Sequence, residues 1–245
     1  MLGLFNKNRR RRKKRRQPNT ERELVTVSDA RSPMAEAFRT IRTNIHYASV
    51  DRELKTLLVT SPQPVEGKST TASNLAVVMA QAGQKTLLVD CDFRRPTVHR
   101  IFDLPNSQGL TNLIAEDAPL EGMVTNSVVD NLYVLTCGPI PPNPAEMLAS
   151  SKMQKFLETV AASYDKVIID SPPTGAVTDA LILSSMVDGV ILVVRAGETV
   201  IQAAKDAKEK LTNANAHILG VIINGIKDGE GGYYYYYYYR DDGAD

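Results

Sequence analysis

Short apolar runs, several of them closed by an acidic or hydroxyl residue, alternate along this 245-residue chain with longer stretches of helical spacing. Leu54 to Thr60 reads as a buried strand, Ser69 to Gln81 as a helix closed by Gly83, and Lys85 to Asp90 as a second strand. Further strands are predicted at Leu132 to Thr136, Lys166 to Asp170, Gly189 to Val194 and Ile218 to Ile223, with helices over Ala145 to Ala162 and Thr199 to Asn213. Continuously apolar strands interleaved with helices predict an α/β fold, a mostly parallel sheet with helices on both faces. In such folds ligands bind beyond the carboxyl ends of the strands. The residues with the most chemistry in this sequence all fall there.

Ahead of the first strand, Ser32-Pro33 is a helix start signal. Met34, Phe38, Ile41 and Ile45 follow at spacings of three and four and predict a core-facing stripe, while Glu36, Arg39 and Arg42 fall on a separate face. By themselves these three charges fit a solvated helix face as well as an interface.

The net charge of +1 hides an asymmetry. Residues 1–16 carry nine Lys or Arg and no acid, so the rest of the chain sums to −8. Three segments follow: a basic, flexible arm over 1–22, a folded body over 23–228, and a flexible tail over 229–245. The tail opens on Gly229-Glu230-Gly231-Gly232 and holds a run of seven tyrosines, Tyr233, Tyr234, Tyr235, Tyr236, Tyr237, Tyr238 and Tyr239. Taken alone, such a run is a sticky low-complexity segment. Two cysteines and three histidines without ligand spacing argue against a disulfide framework and against a zinc or haem enzyme. No run of about 18 apolar residues occurs, and the basic start is not followed by an apolar stretch, so neither a membrane span nor a secretory signal is expected.

Three strand-end motifs carry the chemistry. Glu66-Gly67-Lys68-Ser69-Thr70 stands between a strand and a helix. A phosphate-binding loop needs backbone N–H groups aimed at the ligand, a lysine for the β and γ phosphates and a hydroxyl for Mg2+; Gly67, Lys68 and Ser69 supply these. The match to G-x-x-x-x-G-K-[ST] is incomplete, because Pro62 stands at the first glycine. Asp90-Cys91-Asp92-Phe93-Arg94-Arg95-Pro96 follows the next strand, and two carboxylates two residues apart point to one side, where they suit the water shell of Mg2+ or proton transfer. Asp170 ends Val167-Ile168-Ile169-Asp170-Ser171-Pro172-Pro173, the usual form of a second Mg2+-associated acid. Singly, each also reads as an ordinary helix start, turn or ion pair. Together, in order along one sheet, they read as a nucleotide site.

These three motifs, followed by a C-terminal tyrosine cluster, resemble the Walker A, A′ and B motifs of the bacterial tyrosine kinases of capsule and exopolysaccharide systems, over residues 32–239. Glu36, Arg39 and Arg42 resemble that family's oligomerisation motif, and Gly138 to Glu146 is likewise typical. The lack of a spanning segment resembles the Gram-positive arrangement, in which a separate membrane protein activates a cytoplasmic kinase. The resemblance implies a P-loop NTPase-like fold, ATP and Mg2+ as cofactors, and phosphorylation of the tail tyrosines between subunits of a ring. It implies that Lys68 neutralises phosphates, that Ser69, Asp92 and Asp170 hold Mg2+, and that Asp90 orients or deprotonates the incoming tyrosine. Glu66, Gly67 and Thr70 complete the phosphate loop, and Asn224 resembles a residue that meets adenine. A membrane-embedded activator, a cognate tyrosine phosphatase and an anionic membrane surface under the basic arm are the implied partners. The implied location is cytoplasmic, peripheral at the inner face of the cell membrane. The resemblance favours activator and lipid over nucleic acid as the arm's target.

One position departs from the family. Its loop usually reads P-G-x-G-K-S-T, and here Val65 replaces the first glycine. If that position requires positive φ, valine carries a steric cost, and a distorted loop or lowered nucleotide affinity is expected. Two other readings stand beside the kinase: a partition or septum-placement ATPase, whose loop typically holds an extra early lysine that residues 61–65 lack, and a non-catalytic nucleotide-binding regulator.

Overall fold

The computed structural model of the chain describes residues 24–48, 53–116 and 118–226. The basic arm over 1–22 and the tyrosines Tyr233 to Tyr239 lie outside the described residues. The elements run α1 (Val25–Ser28), α2 (Pro33–Ala48), β1 (Thr56–Thr60), α3 (Lys68–Gln81), β2 (Thr86–Asp90), α4 (Val98–Ile101) and α5 (Leu110–Glu116). A 3-10 turn at Leu120–Gly122 leads to β3 (Thr125–Asn126), β4 (Leu132–Leu135), α6 (Pro144–Leu148), α7 (Ser151–Ser163) and β5 (Lys166–Asp170). The chain then forms α8 (Asp179–Ser184), β6 (Gly189–Arg195), α9 (Ile201–Asn213) and β7 (Ile218–Asn224).

The seven strands form one sheet in the order β3-β4-β2-β5-β1-β6-β7, parallel except for the short edge strand β3. Period-two alternation divides β1, β2, β4, β5 and β6 between two cores. Leu57, Val59, Leu88, Val134, Ile168, Ile191 and Val193 pack under α2, α3 and α4. Leu58, Leu87, Val89, Leu135, Val167, Ile169, Val190 and Leu192 pack against α5 to α9. Burial on both faces explains why the strands read as unbroken apolar runs.

α3 is buried nearly all round, which explains its weak amphipathic pattern. It ends as expected at Gly83, whose φ of 85° closes the helix in the left-handed region. α2 starts at Pro33, with the Ser32 hydroxyl accepting the Ala35 N–H at 3.2 Å. Its stripe differs from expectation at one end. Phe38, Ile41 and Ile45 pack against the core, but Met34 is 61% exposed and Ala35 is buried instead. The single helix expected over Ala145 to Ala162 is two, because Ser150 leaves helical geometry and its hydroxyl caps the Met153 N–H at 3.2 Å.

Candidate active site

The strand order brings the three motifs together. β2, β5 and β1 are consecutive neighbours in the sheet, so the segments leaving their carboxyl ends lie side by side. After β1, residues 61–67 fold back over the strand end and α3 begins at Lys68. The segment after β5 rests on that loop: the Thr174 N–H donates to the Ser61 carbonyl at 2.9 Å and the Gly175 N–H to the Pro62 carbonyl at 3.0 Å.

Lys68 is the centre of the site. Its ammonium lies 2.8 Å from Asp92 Oδ2, 3.4 Å from Asp170 Oδ1 and 3.2 Å from the Ser69 hydroxyl. Burial pulls the Lys68 pKa down, but Asp170 and then Asp92 outweigh it, and the amine is held above its ordinary value, fully charged. Asp170 is completely buried; burial pushes its carboxyl up against the pull of Lys68, and its Oδ2 has no hydrogen-bond partner. An orphaned buried carboxylate oxygen beside a hydroxyl and a second carboxylate is a hard oxygen donor set that fits Mg2+. Among the described residues no group of three His, Cys, Asp or Glu could hold an ion unaided.

The two Walker A′ acids diverge. Asp92 Oδ1 accepts the N–H groups of Arg94 and Arg95 at 3.3 and 2.9 Å, which aims Oδ2 at Lys68. Asp90 accepts three backbone N–H groups, from Asp92 at 3.1 Å and from Thr97 and Val98 at 3.0 Å each, and so shapes the loop from 91 to 98. Burial pushes Asp90 up to about 7, with the charge of Asp170 adding to it and Lys68 and the Val98 N–H opposing. Cys91 and Cys137 are buried close by, their thiols pushed up by burial, which makes them packing residues and not nucleophiles.

The phosphate loop shows the consequence of its departure from the family pattern. Val65 has φ of 68°, the left-handed region that a β-branched residue rarely enters. Gly67, at φ 91°, is the helix N-cap, and a Cβ there would stand 2.0 Å from Asn224 Nδ2. Asn224, at the end of β7, donates that Nδ2 to the Glu66 carbonyl at 3.1 Å. The Glu66 side chain turns back onto its own loop, accepting the Gln63 N–H at 2.8 Å and the Thr199 hydroxyl. Thr70 is half-buried in the first turn of α3.

Glu36, Arg39 and Arg42 do not join this site. They lie half-buried on α2, where Arg39 pairs with Glu36 at 2.8 Å and donates to the Ala30 carbonyl, and Arg42 donates to the Val78 carbonyl in the last turn of α3 at 3.0 Å.

Sequence reasoning missed the residues that support the site from a distance. Arg94 makes a two-pronged pair, at 2.9 and 3.0 Å, with the fully buried carboxylate of Asp179 at the start of α8. Arg195, at the end of β6, and Thr199, in the turn that follows, bond to Val65 and Glu66. The cue for these was only a glycine turn, Arg195-Ala196-Gly197-Glu198-Thr199, at a strand end. Arg94→Met is expected to cost about 2–4 kcal/mol of stability, since it strands a buried charge, with the lower end set by the 41% exposure of Arg94. Arg94→Lys should recover only part of this, because a single ammonium cannot match two parallel bonds. Urea unfolding of the two variants checks both expectations.

The AAA domain family matches residues 65–218. The chain is 47% identical to "Tyrosine-protein kinase YwqD" of Bacillus subtilis over 88% of its length and 91% of that protein's. It is 42% identical to "Putative tyrosine-protein kinase CapB" of Staphylococcus aureus, covering 82% of this chain and 88% of the relative. The kinase domain of the Escherichia coli tyrosine kinase ETK superposes with a TM-score of 0.80 at 34% identity, over 83% of this chain and 80% of that one. Three Walker motifs that meet around one lysine, on a fold and a sequence shared with these enzymes over most of their length, place the chain in the family of bacterial tyrosine kinases of capsule and exopolysaccharide systems.

Proposed function

We propose that this chain transfers the γ-phosphoryl group of ATP to the tyrosines of its own tail, Tyr233 to Tyr239, between subunits of a homo-oligomeric ring. The observation that carries this reading is the charged Lys68, buried between Asp92 and Asp170 and beside Ser69. Phosphoryl transfer depends on positioning and on neutralising charge. Lys68 supplies a desolvated positive charge to the β and γ phosphates as they arrive. Ser69, Asp92 and Asp170 are the residues that hold Mg2+, which when bound neutralises further phosphate charge. In the transfer, the tyrosine oxygen forms the new bond to phosphorus, ADP leaves, and the phenolic proton goes to a carboxylate. Asp90, pushed up to about 7, is matched to that acceptance near neutral pH.

The acceptor tyrosines stand 5 to 11 residues beyond Asp228, a reach of roughly 17 to 40 Å when extended, which we assign to a neighbouring subunit. Glu36, Arg39 and Arg42 serve the contact between subunits, Arg39 and Arg42 exchanging some of their bonds within the chain for acids of the neighbour. No described helix is long and apolar enough to cross a membrane. Contact with the inner face of the cell membrane falls to the basic arm, whose nine Lys or Arg suit anionic lipid and a membrane-embedded activator, at about 1 kcal/mol per Lys or Arg near the lipid surface. A cognate phosphatase resets the tail, and the cycle regulates capsule or exopolysaccharide synthesis.

The test is phosphotyrosine formation on the full chain with ATP and Mg2+, with and without the cytoplasmic segment of an activator, beside a variant in which Tyr233 to Tyr239 are phenylalanine. Phosphate confined to the tail and absent from the phenylalanine variant is the expected outcome. ATP binding with no phosphotyrosine under either condition would overturn the reading in favour of an ATPase switch or a regulator.

A further inference from the structure

We propose that Thr199 and Arg195 are positioning residues of the phosphate loop, forming a brace from the β6–α9 turn that holds Val65 and Glu66 in the shape that nucleotide binding requires. This rests on the reading of residues 61–70 as the ATP site, and extends it to a turn 130 residues further along the chain.

Two features of the loop call for an external hold. Val65 occupies left-handed backbone at φ 68° while 72% exposed, so no packing of its side chain keeps it there. Such a conformation persists only where the surroundings over-determine it. Glu66 places a carboxylate in a loop built to receive phosphates, where a free negative charge would repel them.

The surroundings answer both. Arg195 Nη1 donates to the Val65 carbonyl at 3.2 Å, which fixes the peptide on the far side of the strained residue. The Thr199 hydroxyl accepts the Arg195 N–H at 2.7 Å, so its single proton is committed to the Glu66 carboxylate. Glu66 is 4% exposed, and its other oxygen takes the Gln63 N–H at 2.8 Å. With the Glu66 carbonyl on Asn224, residues 65 and 66 are tied at four points, two of them from the Arg195–Thr199 turn. A relaxed glycine at position 65 would adopt positive φ unaided. The brace matters here because this chain carries valine.

The experiment compares Thr199→Val, Thr199→Ser and Arg195→Met in the full chain, each with and without Val65→Gly. It reads KM for ATP against kcat, the Kd of a fluorescent ATP analogue with Mg2+, and the unfolding midpoint without nucleotide. Thr199→Val is expected to raise KM and Kd about 10-fold, the size of a hydrogen bond to a charged group, with kcat changed less than about 3-fold. Thr199→Ser, which keeps the hydroxyl, should stay within about 2-fold of the parent chain. Combined with Val65→Gly, the loss should shrink to about 3-fold or less, because the strain to be held is gone. An unchanged KM in Thr199→Val, or an equal loss in both backgrounds, would overturn the brace. If the parent chain binds no nucleotide, the ATP reading itself fails. The brace is then judged on the unfolding midpoints alone: a drop for Thr199→Val that Val65→Gly suppresses supports it, and additive shifts overturn it.

Discussion

Lys68→Met is expected to lower phosphotyrosine formation by about 10^3-fold or more and to destabilise the chain at the same time. The kinetic loss follows from removing a preorganised, desolvated charge from the transferring phosphoryl group. The stability loss follows from what Lys68 touches. It is the cation paired with Asp92 and Asp170, and both carboxylates are buried. Removing one partner of a buried pair costs about 3–5 kcal/mol, because the remaining charge has neither solvent nor counter-ion. A cation supplied from solution should recover part of that loss, so millimolar Mg2+ is expected to raise the unfolding midpoint of Lys68→Met more than that of the parent chain. Thermal unfolding with Mg2+ and with a chelator, beside a phosphotyrosine assay, checks both. A variant as stable as its parent would show that Lys68 does not neutralise these acids.

The second large effect is on assembly. Each phosphate adds about −1.5 to −2 charges, so seven modified tyrosines add roughly −10 to −14 to a chain whose net charge is +1. In the proposed ring, the gathered tails would then repel over about 10 Å at 0.1 M salt. The fully phosphorylated protein is expected to fall to smaller species, and more so at low ionic strength. Light scattering on phosphorylated and phosphatase-treated protein, at two salt concentrations, measures this. The same oligomer in both states would sink the idea.

The apolar runs located β1, β2 and β5 because strands covered on both faces demand unbroken hydrophobicity, and their bounds differ from expectation by at most two residues. Val65 was recognisable as a misfit because glycine is the usual occupant of positive φ, and its φ of 68° bears this out. The helix expected across Ala145 to Ala162 failed at Ser150, where a side-chain cap competes with the helical bond and periodicity carries no trace of it. The short elements α4, α5, α8 and β3 escaped notice because two to seven residues hold too few turns or alternations to show a period.

What the sequence determined alone was the inventory of the site and its place in the fold. Chemically loaded residues stood at strand ends, and in a parallel sheet those ends all face one way. Which of them meet was decided by tertiary structure. Lys68 and Asp170 are separated by 102 positions, and only the insertion of β5 between β2 and β1 brings them to 3.4 Å. The same packing gave Asp90 and Asp92 different partners, backbone N–H groups for one and Lys68 for the other. It also recruited Asp179 and Thr199, whose local sequence marks neither. Spacing along a chain encodes which side of a strand a residue occupies, whereas the neighbour it finds depends on strand order, a property of the whole sheet.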